Sequence, residues 1–120
     1  MKKLTNKEKE IMDLYWKHGP MFVRELQEHY DEPRPHFNTL STIVRILERE
    51  GFLGHKQFGN TYQYFPLISE GEYGRKSLAG IIKNYFNDSY LSAVSSFVKE
   101  EKISVEELRE LIEEIEKVKN

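Results

Sequence analysis

Asn38, Ser41, Thr42, Arg45 and Arg49 lie at offsets of 3, 4, 7 and 11, so on a helix they share one face. Most solvent faces of helices mix Glu with Lys. This one has short hydrogen-bonding side chains and arginine, and no acid before Glu48. Such a face suits the edges of DNA bases. Asn38 can bond adenine bidentately, Thr39 and Thr42 offer a hydroxyl to a base edge or a phosphate and a methyl to thymine, and Arg45 can reach guanine or a phosphate. The bland alternative, the polar side of a packed helix, stays open on these residues alone.

Other chemistries find little support. The acids gather at Glu100-Glu101 and from Glu106 to Glu116, at the spacing of a wet helix face. His18, His29, His36 and His55 show no HExxH or other metal-ligand spacing, and there is no Cys for a thiolate site, a disulfide or a nucleophile. Ser95-Ser96 lacks a GxSxG elbow, and no glycine-rich phosphate cradle exists. No catalytic residue, metal or cofactor is expected, and an enzyme is not.

The elements that must position the polar face can be read on both sides of it. Thr5 and Glu8 have capping-box spacing ahead of Ile11, Met12, Leu14, Tyr15 and Trp16, which predicts a first helix ending at Gly19-Pro20. A short second helix covers Val23 to His29, and Asp31-Glu32-Pro33-Arg34-Pro35 is a loop because of its prolines. The third helix runs from about His36 to Glu50, with Phe37, Leu40, Ile43, Val44 and Leu47 as its core stripe and Gly51 as its left-handed stop. The period then alternates through Phe52–Gln57 and Tyr62–Phe65 around Gly59-Asn60, which predicts a β-hairpin ended by Pro66. Three short helices and a hairpin are the order of a winged helix-turn-helix, in which the third helix enters the major groove. Lys56, Gln57 and Asn60 at the hairpin would then lie along phosphates, and Tyr62 and Tyr64, on one strand face, are expected in the core.

The chain has 120 residues, 38% apolar and 32% charged, which fits one small domain plus an appendage. Its net charge of -2 is uneven: residues 1–66 hold 10 basic and 9 acidic groups, and residues 67–120 hold 8 and 11. Only the first part suits a polyanion. The second part, with capping boxes at Ser69/Glu72 and Ser104/Glu107, predicts helices over about 70–86, 90–100 and 105–118. These helices carry apolar residues at Tyr73, Leu78, Ile81, Ile82, Tyr85, Phe86, Leu91, Val94, Phe97, Val98, Leu108, Leu111, Ile112, Ile115 and Val118. So small a unit buries too little apolar surface alone, so a partner is implied, most simply a second copy of the chain. The expected class is mostly α: a winged helix over 1–66 and a small all-helical dimerisation domain over 67–120. Phosphate neutralisation by few cations also favours two copies. The N-terminal MKKLTNKEKEIM has no signal-type apolar run, and nowhere do about 18 apolar residues run together. A cytoplasmic protein without membrane insertion is expected.

Leu4-Thr5-x-x-Glu8-x-x-Ile11-Met12-x-x-x-Trp16, Val23-Arg24-Glu25-Leu26, Thr39-Leu40-x-Thr42-Ile43, Leu47-Glu48-x-x-Gly51 and Tyr62-x-Tyr64-x-Pro66 together resemble the BlaI/MecI/CopY family of bacterial transcriptional repressors. The tail from Ser95 to Leu108 is similar as well. The resemblance implies a homodimer bound to a palindromic double-stranded operator, and the polar face and hairpin read above put Asn38, Thr39, Ser41, Thr42, Arg45, Arg49, Lys56 and Asn60 forward as its contacts. It also implies a helical C-terminal dimerisation domain, for which the apolar stripes give Tyr85, Phe86, Leu91, Val94, Phe97, Val98, Leu108, Leu111, Ile112 and Ile115 as the expected interface. In the BlaI/MecI branch, tied to antibiotic resistance, it further implies release by proteolysis downstream of a membrane sensor metalloprotease, with Ser96-Phe97 as the scissile bond by position. The copper-responsive CopY branch uses C-terminal cysteines, which this chain lacks. The rival from another class is a winged helix that docks a protein instead of DNA.

Overall fold

A computed structural model describes residues 2–119, apart from the side chains of Ile115, Val118 and Lys119. The expected interface residue Ile115 and the apolar position Val118 therefore lie outside the described side chains. The chain forms two compact units, Met1–Ser77 and Leu78–Asn120.

The first unit begins with α1 (Asn6–His18). Its cap is the predicted reciprocal pair: the Glu8 N–H donates to Thr5 Oγ1 at 3.2 Å, and the Thr5 N–H donates to Glu8 Oε1 at 2.9 Å. Lys2 Nζ also donates to Glu8 at 2.9 Å. Burial alone would raise the Glu8 pKa, but the hydrogen bonds from Thr5 and Lys2 hold it below 4.5. Gly19 at φ 79° ends the helix.

Next come β1 (Met21–Phe22), α2 (Val23–Glu28) and α3 (Phe37–Arg49), then the hairpin strands β2 (Leu53–Phe58) and β3 (Thr61–Pro66). The sheet order is β1-β3-β2, all antiparallel. Gly59, at φ 59°, and Asn60 make the two-residue turn that sets Phe58 opposite Thr61. β1 is the element that sequence patterning misses, since two residues are too few to display alternation. It pairs Met21 with Tyr64 and Phe22 with Gln63, so it ties the segment before α2 to the wing.

The core is built from Ile11, Met12 and Tyr15 of α1, Leu26 of α2, Leu40, Val44 and Leu47 of α3, and Phe52 and Leu53 at the hairpin. The Tyr15 hydroxyl donates to the Met21 carbonyl at 3.2 Å, and burial raises its pKa well above 10.0. The unit continues past Pro66: Ile68 is buried, Trp16 Nε1 donates to its carbonyl at 2.9 Å, and the Tyr73 hydroxyl accepts from the Leu4 N–H at 3.0 Å. Tyr73, expected with the C-terminal helices, thus packs against the first core.

The remaining helices are α4 (Glu70–Tyr85), α5 (Tyr90–Lys99) and α6 (Val105–Lys119). Ser69 Oγ accepts from the Glu72 N–H at 3.1 Å, and Ser104 and Glu107 form both bonds of a capping box at 3.1 Å each. α5 is capped by Ser89, which accepts from the Ser92 N–H at 3.0 Å. Among the described residues of the second unit only Ile82 and Ala93 are buried. Tyr85 is 78% exposed and Leu91 80% exposed, and Val94, Phe97, Leu111 and Ile112 are exposed as well. Phe86, Val98 and Leu108 are half-buried.

Candidate nucleic-acid interface

At about 100° per residue, the α3 side chains sort into three directions around the core line of Leu40, Val44 and Leu47. Asn38, Thr42, Arg45 and Arg49 point away from the core and are exposed. Phe37, Ser41 and Glu48 lie on the flank toward the wing. Thr39, also exposed, falls on the other flank, where it lines a small cleft with Lys7 and Tyr30. The expected contact set is therefore split, with Thr39 turned toward α1.

Two residues expected in the core are not there. Phe37 is 43% exposed, because it stands at the edge of the apolar stripe, about 60° from Leu40 by the same rotation, where it lines an open crevice. Tyr62 is also 43% exposed, whereas Tyr64 on the same strand face is buried. The difference lies in β1, whose pairing reaches only as far as Gln63 and leaves Tyr62 beyond its cover.

The polar groups of the face are only partly committed. The Thr42 hydroxyl donates to the Asn38 carbonyl at 2.9 Å, which leaves its oxygen lone pairs and its methyl group for a partner. Arg45, Arg49 and Lys56 form no salt bridge among the described residues. Lys56 Nζ lies 5.4 Å from the centroid of the Phe58 ring, a cation–π contact that fixes it on the wing. Gln57 Nε2 donates to the Gly59 carbonyl at 3.1 Å and Thr61 Oγ1 to the Phe58 carbonyl at 3.0 Å, so the wing tip is internally braced and Asn60 projects from it, exposed.

Glu48, the one acid on the wing flank, meets Nδ1 of His55 on β2. The His55 ring in turn stacks on Tyr62, with centroids 4.2 Å apart. This Glu48–His55–Tyr62 column joins the recognition helix to the wing and gives the carboxylate a partner inside the protein. Spacing could not have revealed it, because the three residues belong to three elements.

Between α3 and the wing lies a crevice of about 360 Å³, lined on one side by Phe37, Ser41 and Arg45 and on the other by Asn60 and Tyr62, with Arg24 from the start of α2. Arg24 was not among the expected contacts, since a lone arginine on a short helix carries no spacing signal. Among the described residues, no group of three His, Cys, Asp or Glu side chains could hold a metal ion.

The penicillinase repressor family model matches residues 4–117. The chain belongs to the penicillinase repressor family. It is similar to the penicillinase repressor of Bacillus licheniformis, 27% identical over 118 residues that cover 98% of this chain and 92% of that one. It is also similar to the methicillin resistance regulatory proteins MecI of Mammaliicoccus sciuri and of Staphylococcus aureus (strain N315), each 26% identical over 113 residues, 90% of this chain and 89% of theirs. Members of the penicillinase repressor family are transcriptional repressors rather than enzymes, and this chain is a repressor with a winged helix. No helix among its described residues is long and apolar enough to cross a membrane.

Proposed function

We propose that the protein is a dimeric repressor that lays α3 in the major groove of a palindromic operator. Asn38, Thr42 and Arg49 face the bases, Arg45 reaches a base edge or a phosphate, and Lys56 and Asn60 follow the phosphates from the wing. The observation that carries this is the outward face of α3, free of acid, beside Arg45, Arg49 and Lys56, which form no salt bridge among the described residues. Ser41 contributes from the wing flank and Thr39 from the other.

The uncovered apolar residues of the second unit support the dimer. Tyr85, Leu91, Phe97, Leu111 and Ile112 together expose more apolar surface than two buried side chains can organise, and a second copy covers it symmetrically. Two-fold symmetry in the protein then asks for two-fold symmetry in the operator. The regulated genes belong to a β-lactam-type response, as the names of the relatives suggest. Release follows cleavage of Ser96-Phe97 in α5 downstream of a membrane sensor metalloprotease. A cut there divides a helix of the dimer unit and uncouples the half-sites, which removes the avidity of the pair.

A footprint on the DNA upstream of its own gene, followed by anisotropy titration of that duplex, tests the reading. Affinity should fall about 10³-fold or more between roughly 50 and 200 mM salt if six or more phosphates are contacted. Salt-independent binding, or protection of no duplex, refutes it and leaves the winged helix as a protein-docking module.

A further inference from the structure

The crevice between α3 and the wing contains two guanidinium groups, Arg24 and Arg45, and no carboxylate among its lining residues. The acid nearest in sequence, Glu25, is engaged elsewhere: its Oε1 accepts the Phe22 N–H at 2.9 Å, so it caps α2. Arg24 forms no salt bridge among the described residues. Arg45 leans to the wing, where its guanidinium stands beside the Tyr64 hydroxyl and offsets part of the pKa rise that burial and Glu48 impose on it. The walls are aromatic, with Phe37 on one side and Tyr62 on the other, both partly exposed. Ser41 adds a hydroxyl donor.

This arrangement matches the one part of a duplex that must pass there. With a recognition helix in the major groove and a wing beside it, the sugar-phosphate strand bordering that groove runs between the two. We propose that the crevice is a seat for a single phosphodiester of the operator, with Arg24 and Arg45 as its cationic ligands and the Phe37 and Tyr62 rings packed against the flanking deoxyriboses. The seat rests on the DNA-binding reading above and adds to it a ligand from α2. It also assigns Arg45 to a phosphate rather than to guanine, so Arg45→Ala weakens all sequences alike.

The test uses the full chain and the duplex from its own footprint, with phosphates replaced one at a time by uncharged methylphosphonate. At one position in each half-site the replacement should cost the wild type about tenfold in Kd and cost Arg24→Gln only about threefold, because one of the two guanidinium ligands is already gone. Arg24→Gln should also lower the slope of log K against log salt by about 1 per protomer. Arg24→Ala, at an exposed position, provides a second variant with the same expected pattern and an unchanged melting temperature. If both variants lose as much as the wild type at every methylphosphonate position, the seat is wrong while DNA binding stands. If no duplex binds at all, both fall.

Discussion

Thr42 offers two chemically separable groups to DNA, and the structure says what each can still do. Its hydroxyl hydrogen is already donated to the Asn38 carbonyl at 2.9 Å, so the methyl group is free to contact a thymine methyl while the oxygen can only accept, from a base amine. The methyl contact is the expected one. Thr42→Ser removes the methyl and keeps the hydroxyl; Thr42→Val does the reverse. One buried methyl is worth about 0.8 kcal/mol, or about fourfold in Kd. A dimer loses one methyl from each copy, so the Ser variant should bind its operator about fifteenfold more weakly, and the Val variant within about twofold of wild type. Anisotropy titrations at one fixed salt concentration measure this, because neither change alters charge. Thr42 is exposed, so neither variant should move unfolding stability by more than about 0.5 kcal/mol. A tenfold loss for Val with Ser unchanged would mean that the hydroxyl, not the methyl, contacts DNA. Equal binding by all three would mean that this turn of α3 touches no base.

Two further outcomes are expected. Leu91→Asp puts a charge on a surface that the dimer must bury; the loss of about 1.5–3 kcal/mol per copy should turn the protein monomeric in sedimentation experiments at concentrations where wild type is dimeric, and an unchanged dimer would refute the assigned face. Glu8→Gln keeps an acceptor for the Thr5 N–H but loses the charge that Lys2 pairs with, and should cost about 1 kcal/mol at pH 7. Because the folded pKa of Glu8 lies below 4.5, its contribution is present above that pH and is lost as pH falls through the folded value. The gap between Gln and wild type in urea unfolding should accordingly close in acid, and a constant gap from pH 7 to 3 would refute the linkage.

Most of this architecture was legible because its signals are local. Thr5/Glu8, Gly51 and Gly59-Asn60 fix element ends by chemistry confined to a few residues, and the 3.6-residue stripe of Leu40, Val44 and Leu47 fixes the buried side of α3. The errors concern cover rather than period. Tyr62 sits in the right register for burial, yet β1 stops short of it, and Phe37 stands at the rim of its stripe beside an open crevice. Arg24 and the Glu48–His55–Tyr62 column escaped notice for another reason, since each depends on elements distant in sequence meeting around the wing. A periodicity describes one helix or strand at a time and holds no information about such meetings.

The order β1-β3-β2 has a consequence for solubility. Two residues of β1 suffice to make β3 the central strand at Met21 and Phe22, which leaves β2 as the long free edge of the sheet. Open edges of this kind invite pairing with strands of other molecules. Here the outer edge carries His55, Lys56 and Gln57, all exposed, and a lysine on an edge strand discourages such templating. Lys56, the side chain proposed to follow a phosphate, thus also guards the unbound protein against edge-to-edge aggregation.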